Sequence, residues 1–150
     1  MYNLIKVLKI HDSAVIPSKA TAGSTGLDLY AVENTLLVGN GGIEVVGTGL
    51  VLDLRMLPIG ADVQVRPRSG LAAKHGITVL NSPGTIDRDY LGELKVILIN
   101  HGKSDYQIST GDRVAQLIIG NAITSTSLFP VEDIGSVTAR GFGGLGSTGK

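Results

Sequence analysis

The sequence predicts an all-β domain of the sandwich, barrel or jelly-roll type, and three observations support that prediction. In most apolar runs, apolar and polar residues alternate with a period of two, as they do in half-buried strands. Glycine accounts for 21 of the 150 residues, and glycine-rich turn signals separate the apolar runs. A chain of 150 residues also has the length of one domain with a sizeable core.

Each predicted element follows from a local pattern. Ile5 and Val7 alternate with their neighbours near the start of the chain, and Val63 and Val65 do the same further on. The segments 93–100 (ELKVILIN) and 112–119 (DRVAQLII) alternate and then become continuously apolar, which is typical of strands buried on both faces. Only the segment 68–75 (RSGLAAKH) has the composition of a helix, and a short one. Turn signals lie at Val38–Gly42, Leu57–Gly60, Ser82–Gly84 and Ser109–Asp112.

Charge and cysteine content exclude several classes of function. The chain has 13 basic and 13 acidic residues and a formal net charge of zero, which argues against non-specific binding of nucleic acid or of an acidic membrane. It has no cysteine, which excludes disulfides, thiolate catalysis and cysteine-bound metal clusters. The histidines His11, His75 and His101 lack the spacing of a metal site.

The low charge content predicts a homo-oligomer. Only 17% of the residues are charged, and the mean hydropathy is +0.26. No apolar run approaches the roughly 18 residues of a membrane span, so we expect part of the apolar surface to lie against another subunit. The first ten residues interleave lysines with apolar residues and do not resemble a secretory signal, which predicts a cytoplasmic protein.

Three segments carry side chains suited to phosphate chemistry. The segment 66–71 (RPRSGL) offers two arginines, a serine and a glycine at the end of a strand, as a polyphosphate requires, or it is a solvated turn. In the segment 81–93, Asp87 could act as general base for a water, whereas Asp89 reads as a turn residue and Tyr90 as either core or ligand platform. Asp28 lies between two leucines, and a carboxylate in such a place must be hydrogen-bonded, ion-paired or near a cation.

The end of the chain differs from the rest. From Gly135 onward it reads GSVTARGFGGLGSTGK, with almost nothing to bury. Such a segment is either a frayed tail or a mobile arm that becomes ordered over a ligand, with Arg140 and Ser147 as donors to phosphate.

Five segments in order resemble the motifs of the homotrimeric dUTPases (dUTP nucleotidohydrolases), and together they span nearly the whole chain. Each motif alone is weak, but five in this order are specific. The resemblance implies a distorted jelly-roll (β-clip) domain over residues 1–134 with one short helix, followed by a flexible glycine-rich arm over residues 135–150. The five segments are Ala22–Ala31, Arg68–Ala72, Gly84–Glu93, Gly111–Leu117 and Arg140–Gly149.

The resemblance also implies the reaction. A homotrimer with sites at its subunit interfaces would hydrolyse dUTP to dUMP and pyrophosphate, which supports dTTP synthesis and limits uracil in DNA. Asp87 would activate the attacking water. Mg²⁺ would be held by the phosphates and by water, and Asp28 would act on the ion only through a water. The implied phosphate-binding residues are Arg68, Ser69, Gly70, Gln116, Arg140 and Ser147.

Selection of base and sugar follows from the same resemblance. Uracil would lie in the hairpin from Ile77 to Asp87, against backbone groups and the Asn81 side chain, and Tyr90 would pack under the deoxyribose. The implied set of uracil and deoxyribose contacts is Asn81, Gly84, Thr85, Ile86, Tyr90, Lys95 (through its main chain), Leu145 and Gly146.

Two positions depart from the family pattern. Leu145 stands where the aromatic that stacks on uracil is usual, and Leu91 follows the tyrosine where arginine is commoner. Two other functions stay open: a dCTP deaminase of the same fold, and a nucleotide-binding regulatory protein that acts by docking a partner.

Overall fold

Two four-stranded antiparallel sheets and one smaller sheet build the protein, as described by a computed structural model for residues 5–121 and 130. In chain order the elements are β1 (Lys6–Lys9), β2 (Leu27–Tyr30), β3 (Thr35–Leu37), β4 (Gly42–Asp53), β5 (Ala61–Arg66), α1 (Ser69–His75), β6 (Ile77–Val79), β7 (Gly84–Ile86), β8 (Glu93–Asn100), β9 (Tyr106–Ile108) and β10 (Arg113–Asn121). The first sheet has the order β1-β4-β8-β6, the second β2-β10-β5-β7, and β3 pairs with β9. The predicted all-β, jelly-roll-like fold with one short helix is confirmed for these residues.

The core lies between the inner faces of the two large sheets. Leu29, Val65 and Leu117 enter it from the second sheet, and Val96 and Leu98 enter it from the first. Because successive residues of a strand point to opposite faces, their polar neighbours lie on the outside, as the alternation predicted.

β8 and β10 are the strands for which the sequence predicted burial on both faces. β8 lies between β4 and β6, and its last three residues are buried, as predicted. β10 also has a strand on each side, but Ile118 is half-buried and Ile119 is 37% exposed. Ile118 lies on the outer face, whereas Ile119 lies on the same face as the core residue Leu117, so within one chain neither face is completely covered at this end of β10.

The short helix α1 begins one residue later than predicted. Arg68 is its N-cap and has an extended backbone. The helix ends at His75 and is capped by Gly76, whose φ of 69° lies in the left-handed region that favours glycine. The Gly76 N–H donates to the Ala72 carbonyl, and the Gly76 carbonyl accepts from the His101 N–H, which ties the helix to the loop after β8.

Asn100 joins three segments at the end of β8. Its side chain is fully buried, and its Nδ2 donates to the carbonyls of Leu37 and Ser104, while its Oδ1 accepts from the Gly102 N–H. The small β3–β9 sheet, which the sequence pattern did not predict, is attached to the first sheet at this point.

Among the residues that the structure describes, no helix has both the length and the apolar character needed to cross a membrane.

Candidate active site

Asp28 stands at the centre of the first group of predicted site residues. The residue is buried, and its Oδ2 lies 3.1 Å from Nη1 of Arg113. Its Oδ1 lies 3.7 Å from Nε of Arg68 and accepts a hydrogen bond of 3.3 Å from Nε2 of Gln116. A buried carboxylate was expected to be paired, and these contacts satisfy it. Residues of the first, second and fourth motifs thus meet at one carboxylate.

Strand pairing explains why these residues meet. β10 lies between β2 and β5, and Gln116 is directly opposite Asp28 on one side and Arg66 on the other. Directly opposite residues share a face of a sheet. Arg68 follows the end of β5 by two residues, which brings its guanidinium back over this row, where Nη1 donates to the main-chain carbonyl of Arg113 at 2.8 Å.

Ser69 and Gly70 lie beside this group and are open to a ligand. Both are exposed at the start of α1, where the first N–H groups of a helix have no partner within the helix. A Cβ added at Gly70 would meet nothing within 4 Å. With two guanidinium groups around one carboxylate, this end of the protein carries an excess of positive charge that suits an anion such as a phosphate group.

The second group of predicted residues lines a cleft of about 370 Å³ between β7 and the outer face of β4 and β8. Asp87 follows directly after β7 and is exposed at this cleft. The predicted residues on the cleft wall are Thr85, Ile86, Asp87, Tyr90 and Lys95, and Val45, Glu93 and Ile97 complete it. The structure therefore places the candidate base, Asp87, beside four of the eight predicted base and sugar residues.

Asn81 lies in the turn that leads into β7, and Gly84 is the first residue of that strand. Asn81 is exposed, and a Cβ added at Gly84 would lie 3.1 Å from Nδ2 of Asn81. The Asn81 amide thus packs closely over the glycine, at a distance that a larger residue would disturb.

Tyr90 is part of the surface and not of the core, which settles one of the alternatives left by the sequence. Its ring is 45% exposed, and its hydroxyl donates to the main-chain carbonyl of Glu93 at 2.9 Å. A Cβ added at Gly92 would lie 2.5 Å from the Tyr90 hydroxyl oxygen, so the ring occupies space that only glycine leaves open.

The loop after Asp87 is tied to the loop that joins β4 and β5. Arg88 donates from Nη2 to the main-chain carbonyl of Arg55. Arg55 in turn donates from Nε and Nη2 to both carboxylate oxygens of Asp53. These hydrogen bonds from Arg55 lower the pKa of Asp53 to about 2, so the pair stays charged at neutral pH.

The two groups lie far apart within one chain. β2 and β7 are opposite edges of the second sheet, three strand spacings apart. Asp87 comes directly after Ile86, which pairs with Val63 of β5. Asp28 is level with Arg66 of β5, so Asp28 and Asp87 are also offset along the direction of the strands. With about 4.8 Å between strands and about 3.3 Å per residue, the backbones of Asp28 and Asp87 are separated by about 20 Å.

Sequence reasoning missed Arg113, Arg88 and Glu93. Arg113 belongs to the fourth motif, but the identity of the partner of Asp28 depends on the pairing of β2 with β10. Glu93 reads as a solvated strand residue, yet its Oε1 accepts from the Gly49 N–H at 2.9 Å and its Oε2 lies 3.5 Å from Nζ of Lys95. One signal in the sequence could have identified Arg113. A buried carboxylate needs a cation, so every arginine of the motifs was a candidate partner of Asp28.

The described residues supply no protein cage for a metal ion. Within residues 5–121 and 130, no group of three or more His, Asp or Glu side chains lies close enough to hold one. The predicted arm residues Arg140, Leu145, Gly146 and Ser147 lie outside the described residues.

The fold and the two groups define an all-β domain with a cluster of arginines around a buried carboxylate at one edge of the second sheet and a cleft lined by Asp87 and Glu93 at the other. Comparison with known proteins then gives the family: the dUTPase model matches residues 12–149, and the chain belongs to the dUTPase family.

Relatives of known name agree with this assignment over the full chain. The chain is 51% identical over 146 residues to the deoxyuridine 5'-triphosphate nucleotidohydrolase of Wolinella succinogenes, a match that covers 97% of this chain and 94% of that protein. It is 47% identical over 149 residues to the protein of the same name from Clostridioides difficile, with 99% of each chain covered.

Solved structures share the fold. The dUTPase of Staphylococcus bacteriophage 80alpha, solved with dUPNHPP, matches with a TM-score of 0.84 at 24% identity and covers 99% of this chain and 100% of its own. A mutant dUTPase of phage phi11 of S. aureus, described for its coordination of a structural Mg(II) ion, matches with a TM-score of 0.75 at 22% identity over 89% of this chain and 100% of its own.

Proposed function

We propose that this protein hydrolyses dUTP to dUMP and pyrophosphate. The observation that carries the proposal is the cluster in which Arg68 and residues of two other dUTPase motifs meet at one buried carboxylate, with Ser69 and Gly70 exposed beside it. The names of the relatives, which cover nearly the whole chain at about half identity, support the same substrate.

Asp87 is the proposed catalytic residue. Its carboxylate accepts a hydrogen bond from a water, takes a proton from it and directs the oxygen at the α-phosphorus. The new bond forms between that oxygen and the α-phosphorus, while the bond from the α-phosphorus to the oxygen that bridges to the β-phosphorus breaks. Pyrophosphate leaves with the electron pair of that bond, and no covalent intermediate with the protein is needed. The exposed position of Asp87 on the wall of the cleft supports access of both water and substrate.

The phosphate chain is proposed to bind at the end of the protein that carries positive charge. Arg68 donates to phosphate oxygens, Ser69 and Gly70 donate near the bond that breaks, and Gln116 adds an amide donor. Arg140 and Ser147 of the arm complete this set. Charge-assisted donors of this kind stabilise the charge that develops on the leaving pyrophosphate.

The hairpin that contains β7 is proposed to bind the nucleoside. The uracil lies against backbone groups from Gly84 to Ile86 and the Asn81 amide, and Tyr90 supports the deoxyribose. Lys95 contributes through its main chain, and Leu145 and Gly146 of the arm cover the base. The close packing of Asn81 over Gly84 and of Tyr90 over Gly92 supports a stiff wall, which discriminates against a larger base or sugar.

Mg²⁺ is proposed to enter with the triphosphate. The donors around Asp28 are two guanidinium groups and one amide, which favour an anion and leave the cation to oxygen ligands from phosphate and water. The described residues therefore fit an ion that the substrate carries, with Asp28 reaching it only through a water. When bound, the ion supplies neutralisation of phosphate charge.

A homotrimer is proposed as the working assembly. Since Asp87 lies about 20 Å from the Asp28 cluster within one chain, a single subunit cannot bring its own base and its own arginine to one phosphorus atom. The Asp87 end of one subunit has to face the Arg68 end of the next, and head-to-tail contacts of this kind close into a ring. The family resemblance gives the ring three members, and the low charge content of the chain agrees with a covered surface.

Two substrates test the reaction. The purified protein is incubated with Mg²⁺ and either dUTP or dCTP, and pyrophosphate and ammonia are measured separately. We expect pyrophosphate from dUTP and no ammonia from dCTP. Release of ammonia from dCTP would identify a deaminase, and nucleotide binding without either product would identify a regulatory binding protein.

A further inference from the structure

Arg113 has no assigned role, yet it makes the shortest contact with the central carboxylate. Its Nη1 lies 3.1 Å from Oδ2 of Asp28, whereas Nε of Arg68 lies 3.7 Å from Oδ1, beyond the usual length of a hydrogen bond. The main-chain carbonyl of Arg113 also accepts a hydrogen bond of 2.8 Å from Nη1 of Arg68. Arg113 therefore contacts both Asp28 and Arg68.

The charge balance explains what this arrangement does. A buried carboxylate and a single guanidinium tend to form a bidentate pair, which would use two parallel donors of that guanidinium. Here Arg113 neutralises Asp28 from the side of Oδ2, so Arg68 stays at the longer distance. One donor of Arg68 is held by the Arg113 carbonyl, which fixes the plane of the guanidinium, and the side chain keeps a quarter of its surface exposed.

We propose that Arg113 is a positioning residue that holds Arg68 available for the phosphate groups of the substrate. Its guanidinium satisfies the charge of Asp28, and its carbonyl orients the guanidinium of Arg68. Arg113 acts through Arg68. This inference rests on the proposed function, because it takes Arg68 as a phosphate-binding residue.

The predicted consequence of removing Arg113 is specific. In Arg113→Met, the Asp28 carboxylate keeps only Arg68 as a cation, so Arg68 closes onto it and its donors are withdrawn from the ligand. The main-chain carbonyl of residue 113 remains, so the change isolates the effect of the charge. In the double variant Arg113→Met with Asp28→Asn, the carboxylate is gone as well, and Arg68 is released again.

Binding of inorganic pyrophosphate without divalent cations measures this effect independently of catalysis. By calorimetry on the full chain, we expect Arg113→Met to weaken pyrophosphate binding by about ten- to a hundredfold, the loss that accompanies one charge-assisted hydrogen bond. The double variant should return to within about threefold of the wild type, and Arg113→Lys, which keeps the charge, should be weakened by less than Arg113→Met. Binding of deoxyuridine, which has no phosphate, should be the same in all variants.

Arg68→Gln is the reference variant that distinguishes a failure of the proposed function from a failure of the role proposed for Arg113. If it does not weaken pyrophosphate binding, the phosphate end is wrongly assigned, and the proposed function and this inference fail together. If it weakens binding while Arg113→Met does not, the inference alone is overturned. Weakened binding in Arg113→Met that the second substitution does not restore also overturns it, since Arg113 would then contact the ligand directly or serve only folding.

Discussion

Asp28 illustrates at the residue scale how a local pattern and a distant contact combine. Its two leucine neighbours on β2 make it a strand residue in an apolar setting, and a carboxylate in such a setting needs a cation. The cation is supplied by Arg113 and Arg68, which lie 85 and 40 positions further along the chain and reach it because β2 pairs with β10. The same contacts gather the side chains proposed to bind phosphate.

The first prediction concerns the candidate base. Asp87→Asn keeps the volume of the side chain but removes its ability to accept a proton, so kcat for dUTP should fall by about 10²- to 10⁴-fold, while nucleotide binding is retained. Asp89→Asn is the matched control, because Asp89 lies in the adjoining turn and is exposed. Assays of pyrophosphate release measure kcat for both variants. A near-normal kcat for Asp87→Asn would refute the role of Asp87 as the base.

The second prediction concerns the space under Tyr90. In Gly92→Ala, the new Cβ would overlap the Tyr90 hydroxyl group, so the ring has to move away from its present place. We expect KM for dUTP to rise by about five- to tenfold, which corresponds to about 1 kcal/mol of binding free energy. Gly23→Ala is the control, since a Cβ there meets nothing within 4 Å. Equal KM values for the two variants would show that the Tyr90 ring does not contact the sugar.

At the element scale, β8 organises the first sheet and carries two different contacts at its ends. Glu93 at its start binds the N–H of Gly49, which has a φ of 64° where the pairing of β4 with β8 is irregular. Asn100 at its end joins β3 to the loop 101–105. The cleft lies against the outer face of the strand between these two ends, so both ends hold its wall in place.

The third prediction tests the contact at the end of β8. Asn100→Ala leaves two carbonyls and one N–H without their buried partner, and the free energy of unfolding should fall by about 3 kcal/mol. Denaturant or thermal unfolding of the assembled protein measures it. Asn40→Gly is the control, because Asn40 is exposed, makes only a 3.4 Å contact and has a φ of 58° that glycine accepts. A loss of equal size in both variants would contradict this account of Asn100.

At the scale of the whole molecule, the distance between the two groups decides how the active site is built. The Asp28 cluster and Asp87 lie at opposite edges of the second sheet, and no rotation of side chains closes about 20 Å. In the proposed trimer, each chain therefore contributes two half-sites that face different neighbours. The partly exposed apolar residue Ile119, at the end of β10, is consistent with a surface that meets another subunit.

The fourth prediction follows from these half-sites. Asp87→Asn and Arg68→Gln subunits, each inactive alone, should restore activity when they are unfolded, mixed and refolded together. If each site takes Asp87 from one subunit and Arg68 from the next, about a quarter of the sites in an equal, random mixture contain both native residues. Separately refolded samples mixed without exchange of subunits are the control. A mixture that stays inactive, although exchange is demonstrated, would place the whole site within one chain.

Much of the fold was predictable because strand patterns are local. The alternation of Val63 and Val65 with polar residues, the apolar end of β8 and the short helix before Gly76 are all found as predicted. The β3–β9 sheet was not, because its strands have three residues each and too few positions to show a period. In the candidate site, the sequence indicated Asp87 and the Arg68 segment, but the pairing of β2 with β10 was needed to identify Arg113 as a partner of Asp28.

The sequence by itself determined the strands, the turns, the inventory of charged side chains and, through its motifs, the family. These properties depend on side chains a few positions apart, whose spacing can be read along the chain. Only the tertiary structure decided which arginines neutralise Asp28 and that Asp87 lies far from them. Hydrogen bonds between strands and ion pairs join residues that are distant in sequence, and their choice depends on how whole sheets pack around the core.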